Sequence, residues 1–371
     1  MGGDMLGHRK TLAWALLVLG AMGIRSAMAL PTFSALWGFG DSLTDNGNAA
    51  LTIDSGALVP IRNPGDREVL PIPNPGYVPS NPYPGSEPFD RATNGRIWLE
   101  HVAERFSLPL IPAAGGGTNF AFSGANLSPG LAPVPPSLRA QVDSFLAAAP
   151  AVPPNLIDDG LFVLWGGGND ARGTFADRAL PAVLLGRDPT AAIVEDVNRY
   201  LTTLESLIRD LAGVGASHFF VPNVPAFEFT PAIAATDALL AAGGAPAGLA
   251  FGLASDVSDA YNGNILALLG QLEQGLGVDI IPFDVAAVIE RTVINPAAFG
   301  LSEPAQPCAF PVVCANPDAV LFWDGIHPAS GGHRALGEQA IAALIPSPAT
   351  LGLMALGLIS LGWCRRRVPA R

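Results

Sequence analysis

Lysine is almost missing from this chain. Lys10 is the only one in 371 residues. Schiff-base enzymes, pyridoxal-phosphate enzymes and P-loop nucleotidases each depend on a lysine at the reacting centre, so all three classes are excluded once the first residues are set aside. Histidine is nearly as scarce. Beyond residue 29 only His101, His218, His327 and His333 remain as candidate imidazole bases. Charge is sparse too, at 14% of residues against 49% apolar. Basic charge is the scarcer sign, with 20 Lys and Arg against 32 Asp and Glu. Residues 1–29 carry +2 and residues 346–371 carry +4, so a formal net charge of −12 leaves −18 on the stretch between them. Such a surface repels phosphate backbones, which argues against nucleic-acid binding. No motif groups enough His and Asp for a metal-dependent phosphoesterase, and no metal or cofactor is expected.

Glycine and proline are abundant, at 42 and 35 residues, so much of the chain is expected to be loop. Apolar runs at 34–39, 161–165, 217–221 and 278–283 read as strands, with a weaker one at 118–122. Helical spacing falls near 95–107, 137–149, 190–212, 253–275 and 329–344. Strand and helix alternate, which predicts an α/β fold with a parallel sheet and helices on both faces. Two long irregular inserts are expected: a Pro-rich one at 56–90, read as a substrate wall or a solvated linker, and an Ala/Gly/Pro-rich one at 231–250.

Both ends read as addresses. His8-Arg9-Lys10 precedes an apolar run from Leu12 to Ile24, and Ser26-Ala27-Met28-Ala29 offers small residues for a cut after Ala29. Residues 1–29 are therefore expected to be a secretory signal peptide. At the other end Pro346-Ser347-Pro348 leads into an uncharged apolar stretch, Ala349 to Cys364, followed by Arg365-Arg366-Arg367. That pattern resembles the PEP-CTERM sorting tail of Gram-negative bacteria, with Ser347 where the family usually has Glu. It predicts either a membrane anchor or a segment removed by a sorting protease. Export to the periplasm, cell surface or extracellular matrix is the expectation, with residues 30–345 as the functional domain. In an oxidising compartment Cys308 and Cys314, six positions apart, are expected to bridge, two free thiols being the alternative.

The chemistry concentrates in four blocks. Phe39-Gly40-Asp41-Ser42-Leu43-Thr44-Asp45-Asn46-Gly47-Asn48 follows the first strand, where open α/β sheets bind ligands. Thr118-Asn119-Phe120-Ala121-Phe122-Ser123-Gly124-Ala125-Asn126 is the second, and Leu161 to Asp170, ending Gly166-Gly167-Gly168-Asn169-Asp170, the third. Phe322-Trp323-Asp324-Gly325-Ile326-His327-Pro328 is the fourth. Taken singly, each could be a helix cap or a turn. In this order they resemble the SGNH (GDSL) hydrolase family over nearly the whole span from Phe33 to Leu344. Arg91-Ala92-Thr93-Asn94-Gly95-Arg96-Ile97-Trp98 is similar to the stretch before the second block in its lipase-like branch.

The resemblance implies a three-layer α/β/α sandwich with a flavodoxin-like sheet. It assigns Ser42 as nucleophile and His327 as base. The spacing Asp324-x-x-His327 suits a loop in which the carboxylate bonds one ring nitrogen and leaves the other for Ser42. Oxyanion donors implied by the resemblance are the backbone N–H groups of Ser42 and Gly124 and the side-chain amide of Asn169. Asp41 and Asp170 are expected to brace loops, Asp45, Asn46 and Asn48 to order the turn after Ser42, and His333 to be structural. The expected activity is carboxylic ester hydrolysis through an acyl-serine, on lipids, short acyl esters or acylated polysaccharide. The alternatives are a carbohydrate O-deacetylase and a non-catalytic surface or matrix protein on the same fold.

Overall fold

A computed structural model of the protein describes residues 31–54, 91–128, 135–302, 306–308 and 314–345. The expected signal peptide, the 56–90 insert and the 346–371 tail lie outside the described residues.

Four parallel strands pair in chain order: β1 (Leu36–Gly40), β2 (Leu161–Trp165), β3 (His218–Pro222) and β4 (Asp279–Phe283). Segment 118–122 runs beside β1. Gly38 N–H donates to Thr118 O at 3.1 Å, and the Phe120 and Phe122 N–H groups donate to Gly38 O and Gly40 O at 2.7 and 3.0 Å. Counted as the second strand of the chain, it gives the order 2-1-3-4-5 of doubly wound flavodoxin-like sheets. The switch point then falls at the carboxyl end of β1, immediately before Ser42. The central strands read as unbroken apolar runs because both their faces are covered. Among the described residues β4 is an edge strand, a place where Pro282 is tolerated.

Side chains alternate across the sheet and define two cores. Trp37, Phe39, Phe162, Leu164 and Phe219 point into one. Leu36, Leu161, Val163, Trp165 and Phe220 point into the other. The first is covered by α3 (Leu138–Ala148), α7 (Thr190–Gly213), α9 (Leu249–Asn262) and α10 (Ile265–Leu276). The second is covered by α2 (Trp98–Phe106), α11 (Val285–Ile294) and α12 (Ser330–Leu344). The result is the three-layer α/β/α sandwich. α7 shows why such helices hold. Its buried residues Ile193, Val197, Tyr200, Leu204, Leu207, Ile208 and Leu211 recur every three or four positions, so one stripe meets the sheet. Each fully buried Leu or Ile contributes roughly 1.5–3 kcal/mol.

Among the described residues there are also shorter helices: α1 (Asn48–Asp54), α4 (Pro154–Asp158), α5 (Gly168–Gly173), α6 (Leu180–Leu184) and α8 (Pro231–Ala242). α8 corrects the expectation of an irregular 231–250 insert. Pro231 sits in the first turn, where its missing N–H costs nothing, and an alanine-rich run with high helix propensity follows until Gly243-Gly244. The single helix expected at 253–275 is two, broken at Gly263-Asn264, both poor helix formers. Among the described residues no helix is long and apolar enough to cross a membrane.

Candidate active site

Ser42 leaves the end of β1 in a turn stitched by carboxylates and amides. The end of β1 is clamped by Gln141 of α3: Gly40 N–H donates to Gln141 Oε1 and Gln141 Nε2 donates to Gly40 O, both at 2.9 Å. Asp45 then gathers four backbone donors. Oδ1 accepts from Gly47 and Asn48 at 2.8 and 2.7 Å, and Oδ2 accepts from Ala49 and Ser123 at 3.2 and 2.9 Å. The last of these joins the first block to the second, one residue before Gly124. Asn119 and Asn48 reinforce the junction. Asn119 Nδ2 donates to Thr44 O and Asn46 Oδ1, and Asn48 Nδ2 to Asn119 O and Ala121 O.

The Asp324 to His327 loop comes from 285 residues further along the chain and meets Ser42 directly. His327 Nε2 lies 2.9 Å from Ser42 Oγ, and His327 Nδ1 lies 2.8 Å from Asp324 Oδ2. Asp324 Oδ1 accepts the backbone N–H groups of Ile326 and His327 at 2.8 and 2.7 Å. Asp324 is fully buried, and His327 is 2% and Ser42 7% exposed. Burial alone would raise the Asp324 pKa. The His327 ring and the two N–H donors outweigh it and hold the carboxyl below its ordinary range, so it stays ionised. Trp323 N–H donates to His327 O, and Ala329 N–H to Leu321 O, closing the loop on itself. Cys308 and Cys314 form a disulfide, and Cys308 N–H donates to Phe322 O at 3.0 Å, next to this loop.

The proposed oxyanion donors come from three blocks. Asn169 opens α5 behind Gly167, whose φ of +105° and close approach to Tyr200 leave no room for a Cβ. Asn169 Nδ2 donates one hydrogen to Ala125 O at 2.9 Å, which ties its amide to the residue after Gly124 and leaves a second hydrogen free to point elsewhere. Gly124 has φ +80°. Among the described residues the backbone N–H groups of Ser42 and Gly124 meet no acceptor. Gly124 does not line the pocket over Ser42, whereas Asn169 does.

With this geometry in hand, the likeness to known proteins is specific. The GDSL-like lipase/acylhydrolase family matches residues 36–340. The chain belongs to that family. It is a serine-type carboxylic ester hydrolase. Two GDSL esterase/lipases of Arabidopsis thaliana are each 24% identical to it. One alignment covers 90% of this chain and 88% of the relative, the other 82% and 84%. Among solved structures it is similar to Axe2, an acetylxylan esterase from Geobacillus stearothermophilus, at 14% identity and a TM-score of 0.38 over 85% of this chain and 96% of that one.

In this hydrolase Asp41 and Asp170 both accept hydrogen bonds from loop backbone. Asp41 accepts Leu43 N–H at 3.0 Å, and Asp170 accepts Leu127 N–H at 2.9 Å. Burial pushes both up to about 6, and the Asp41 charge adds to the rise at Asp170. His333 accepts Trp98 N–H on Nδ1 at 3.2 Å, and burial holds its pKa well below the usual imidazole range. His218 pairs with Asp279 at 3.5 Å at the start of β3, the end of the sheet away from Ser42.

Three contributions escaped the sequence reading. Thr93 Oγ1 donates to Pro328 O at 2.8 Å. Asn94 bonds Ser330 through both its amide atoms at 2.9 Å. The Arg91 to Trp98 block thus fastens the segment after His327. Gln141 was legible in principle: it falls on the same helix face as Leu138, Val142 and Phe145, so a polar residue there needs a buried partner. The pocket itself is closed by Pro225-Ala226-Phe227, Ile289 and Leu336, none of which carries a local signal.

Proposed function

We propose that Ser42 is acylated, that His327 takes and returns its proton, and that Asp324 orients the ring and stabilises the imidazolium. One observation carries this: the continuous chain from Ser42 Oγ to His327 Nε2 at 2.9 Å and from His327 Nδ1 to Asp324 at 2.8 Å. With Nδ1–H donating to Asp324, Nε2 is left to accept the serine proton. Ser42 Oγ attacks the ester carbonyl, and the oxyanion is received by the Ser42 and Gly124 N–H groups and the Asn169 amide. Collapse expels the alcohol, which takes the proton from Nε2. Water then enters by the same route and releases the acid.

The substrate is a carboxylic ester with a short apolar acyl group. The space over Ser42 is about 60 Å³ and is walled by Leu43, Phe227, Ile289 and Ile326. That is well below the roughly 300 Å³ at which drug-sized ligand sites begin. An acetyl group on a polysaccharide fits the same space, so O-deacetylation is the second reading. The test is kcat/KM for p-nitrophenyl esters from acetate to palmitate, beside phospholipid and acetylated xylan. Acetate or butyrate should lead, and a phosphonofluoridate should label Ser42 stoichiometrically. Full activity in Ser42→Ala would overturn the catalytic assignment, and a preference for palmitate would overturn the acyl-length reading.

The proposal extends to export through residues 1–29, with residues 346–371 as anchor or sorting tail on a Gram-negative cell surface, periplasm or matrix. The Cys308–Cys314 disulfide supports an oxidising destination. N-terminal sequencing and intact mass from the native host should show a start near Leu30. A cytoplasmic chain retaining Met1 would sink the export reading alone.

A further inference from the structure

A second, larger concavity of about 600 Å³ opens at the carboxyl ends of β3 and β4, between α9, α10 and α11. It is about ten times the space over Ser42 and lies within the range of ligand sites. Its chemistry is different. Glu228, Asp259, Asp284 and Glu290 line it, and no Lys, Arg or His does among the described residues. Glu228 is 8% exposed, yet it makes only one side-chain bond, from Ser258 Oγ at 2.8 Å. Beyond its own backbone N–H, its carboxylate meets no other donor among the described residues. Burial pushes the Glu228 pKa up, and the Asp259 and Glu290 charges add to the rise. A buried carboxylate with an open side, repelled by its neighbours, is stabilised by a cation held against that side. These carboxylates do not converge into a group that could hold a metal ion.

Aromatic rings complete the wall. Phe229 and Phe251 meet edge to face, with centroids 5.6 Å apart at 75°, and Phe251 is 43% exposed. Aromatic rings and carboxylates lining one concavity favour an organic cation, whose charge is attracted by both and whose apolar body can pack on the rings. We propose that this groove is a binding site for an organic ammonium ion carrying an apolar group. The site is separate from Ser42 and does not depend on the ester-hydrolase reading. It does share a wall with it. Ala226 lines both concavities, Phe227 faces the catalytic one, and Glu228 and Phe229 face the other. An ammonium bound against Glu228 therefore sits on the loop that closes the acyl pocket.

The test uses the full chain and benzyltrimethylammonium, whose charge does not titrate, followed by isothermal titration calorimetry. Saturable one-site binding is expected, equal in wild type and Ser42→Ala. It should weaken by about tenfold or more in Glu228→Gln and in Phe251→Ala. The uncharged carbon isostere neopentylbenzene should not compete. Phe251 is exposed, so Phe251→Ala keeps the test valid if Glu228→Gln fails to fold. Absence of saturable binding, unchanged affinity in a folded variant, equal binding of neopentylbenzene, or loss of binding after phosphonylation of Ser42 would each overturn the proposal.

Discussion

Replacing Asp45 by asparagine separates the positioning of the oxyanion site from its chemistry. The variant keeps Oδ1 and its bonds to Gly47 and Asn48. It turns Oδ2, which accepts from Ala49 and Ser123, into a donor facing two donors. Asp45 is fully buried and Ala49 nearly so, which leaves the Ala49 N–H without water in its place, whereas Ser123 is half-buried. An orphaned buried donor costs about 1–3 kcal/mol. Part of that is offset because the substitution also removes a buried charge, whose burial already raises the Asp45 pKa. The net loss should be about 1–3 kcal/mol, a fall in Tm of roughly 2 °C or more. The activity readout is sharper. Ser123 precedes Gly124, so freeing Ser123 N–H from Asp45 should release the proposed Gly124 donor from its place. Loss of one oxyanion donor lowers kcat by about 10²-fold with KM little changed. The assay is kcat and KM on p-nitrophenyl acetate, well below the variant's Tm. Asp45→Asn combined with Asn169→Ala should be less than additive in kcat if both act on the same oxyanion. A folded Asp45→Asn enzyme with wild-type kcat would refute the link and leave Asp45 a purely structural residue.

Asn169→Ala alone should lower kcat by roughly 10²–10³-fold at nearly constant KM in the same assay. His327→Ala should approach background turnover, and Asp324→Ala should retain more, because water or a backbone carbonyl can partly orient the ring; single-turnover rates would rank them. Asp41→Asn should stabilise the protein at pH 8 but not at pH 4. The folded-state pKa of about 6 lies above the ordinary carboxyl value. The folded carboxyl is therefore favourable below the unfolded pKa and costs progressively more as pH rises to 6, reaching about 3 kcal/mol above it. Urea unfolding at both pH values checks this, and a difference between variant and wild type that does not change with pH would count against it. Reducing Cys308–Cys314, or Cys308→Ser with Cys314→Ser, should cost very roughly 2 kcal/mol, read as a lower Tm, and slow turnover through the adjacent Phe322 to His327 loop.

Much of this architecture was legible along the chain because the signals are local. A parallel strand covered on both faces is a continuous apolar run, and Leu161 to Trp165 shows it residue for residue. Asp324 and His327, three apart, could be read as one loop because their bond spans a single turn. The same locality explains the misreading at 231–250, where composition pointed to loop and alanine propensity with a first-turn proline decided for helix. What the chain by itself determined was therefore the strand ends, the residue types waiting there and the parallel alternation of the sheet. Tertiary structure alone decided which ends meet. Asp45 reaches Ser123 across 78 residues, Gln141 reaches Gly40 across 101, Thr93 reaches Pro328 across 235 and Ser42 reaches His327 across 285. Each contact forms because the doubly wound sheet delivers all strand ends to one edge, where buried donors and acceptors must find partners among whatever arrives. The groove around Glu228 belongs to that level too, since its carboxylates and rings are strangers in sequence and neighbours only once the sheet has formed.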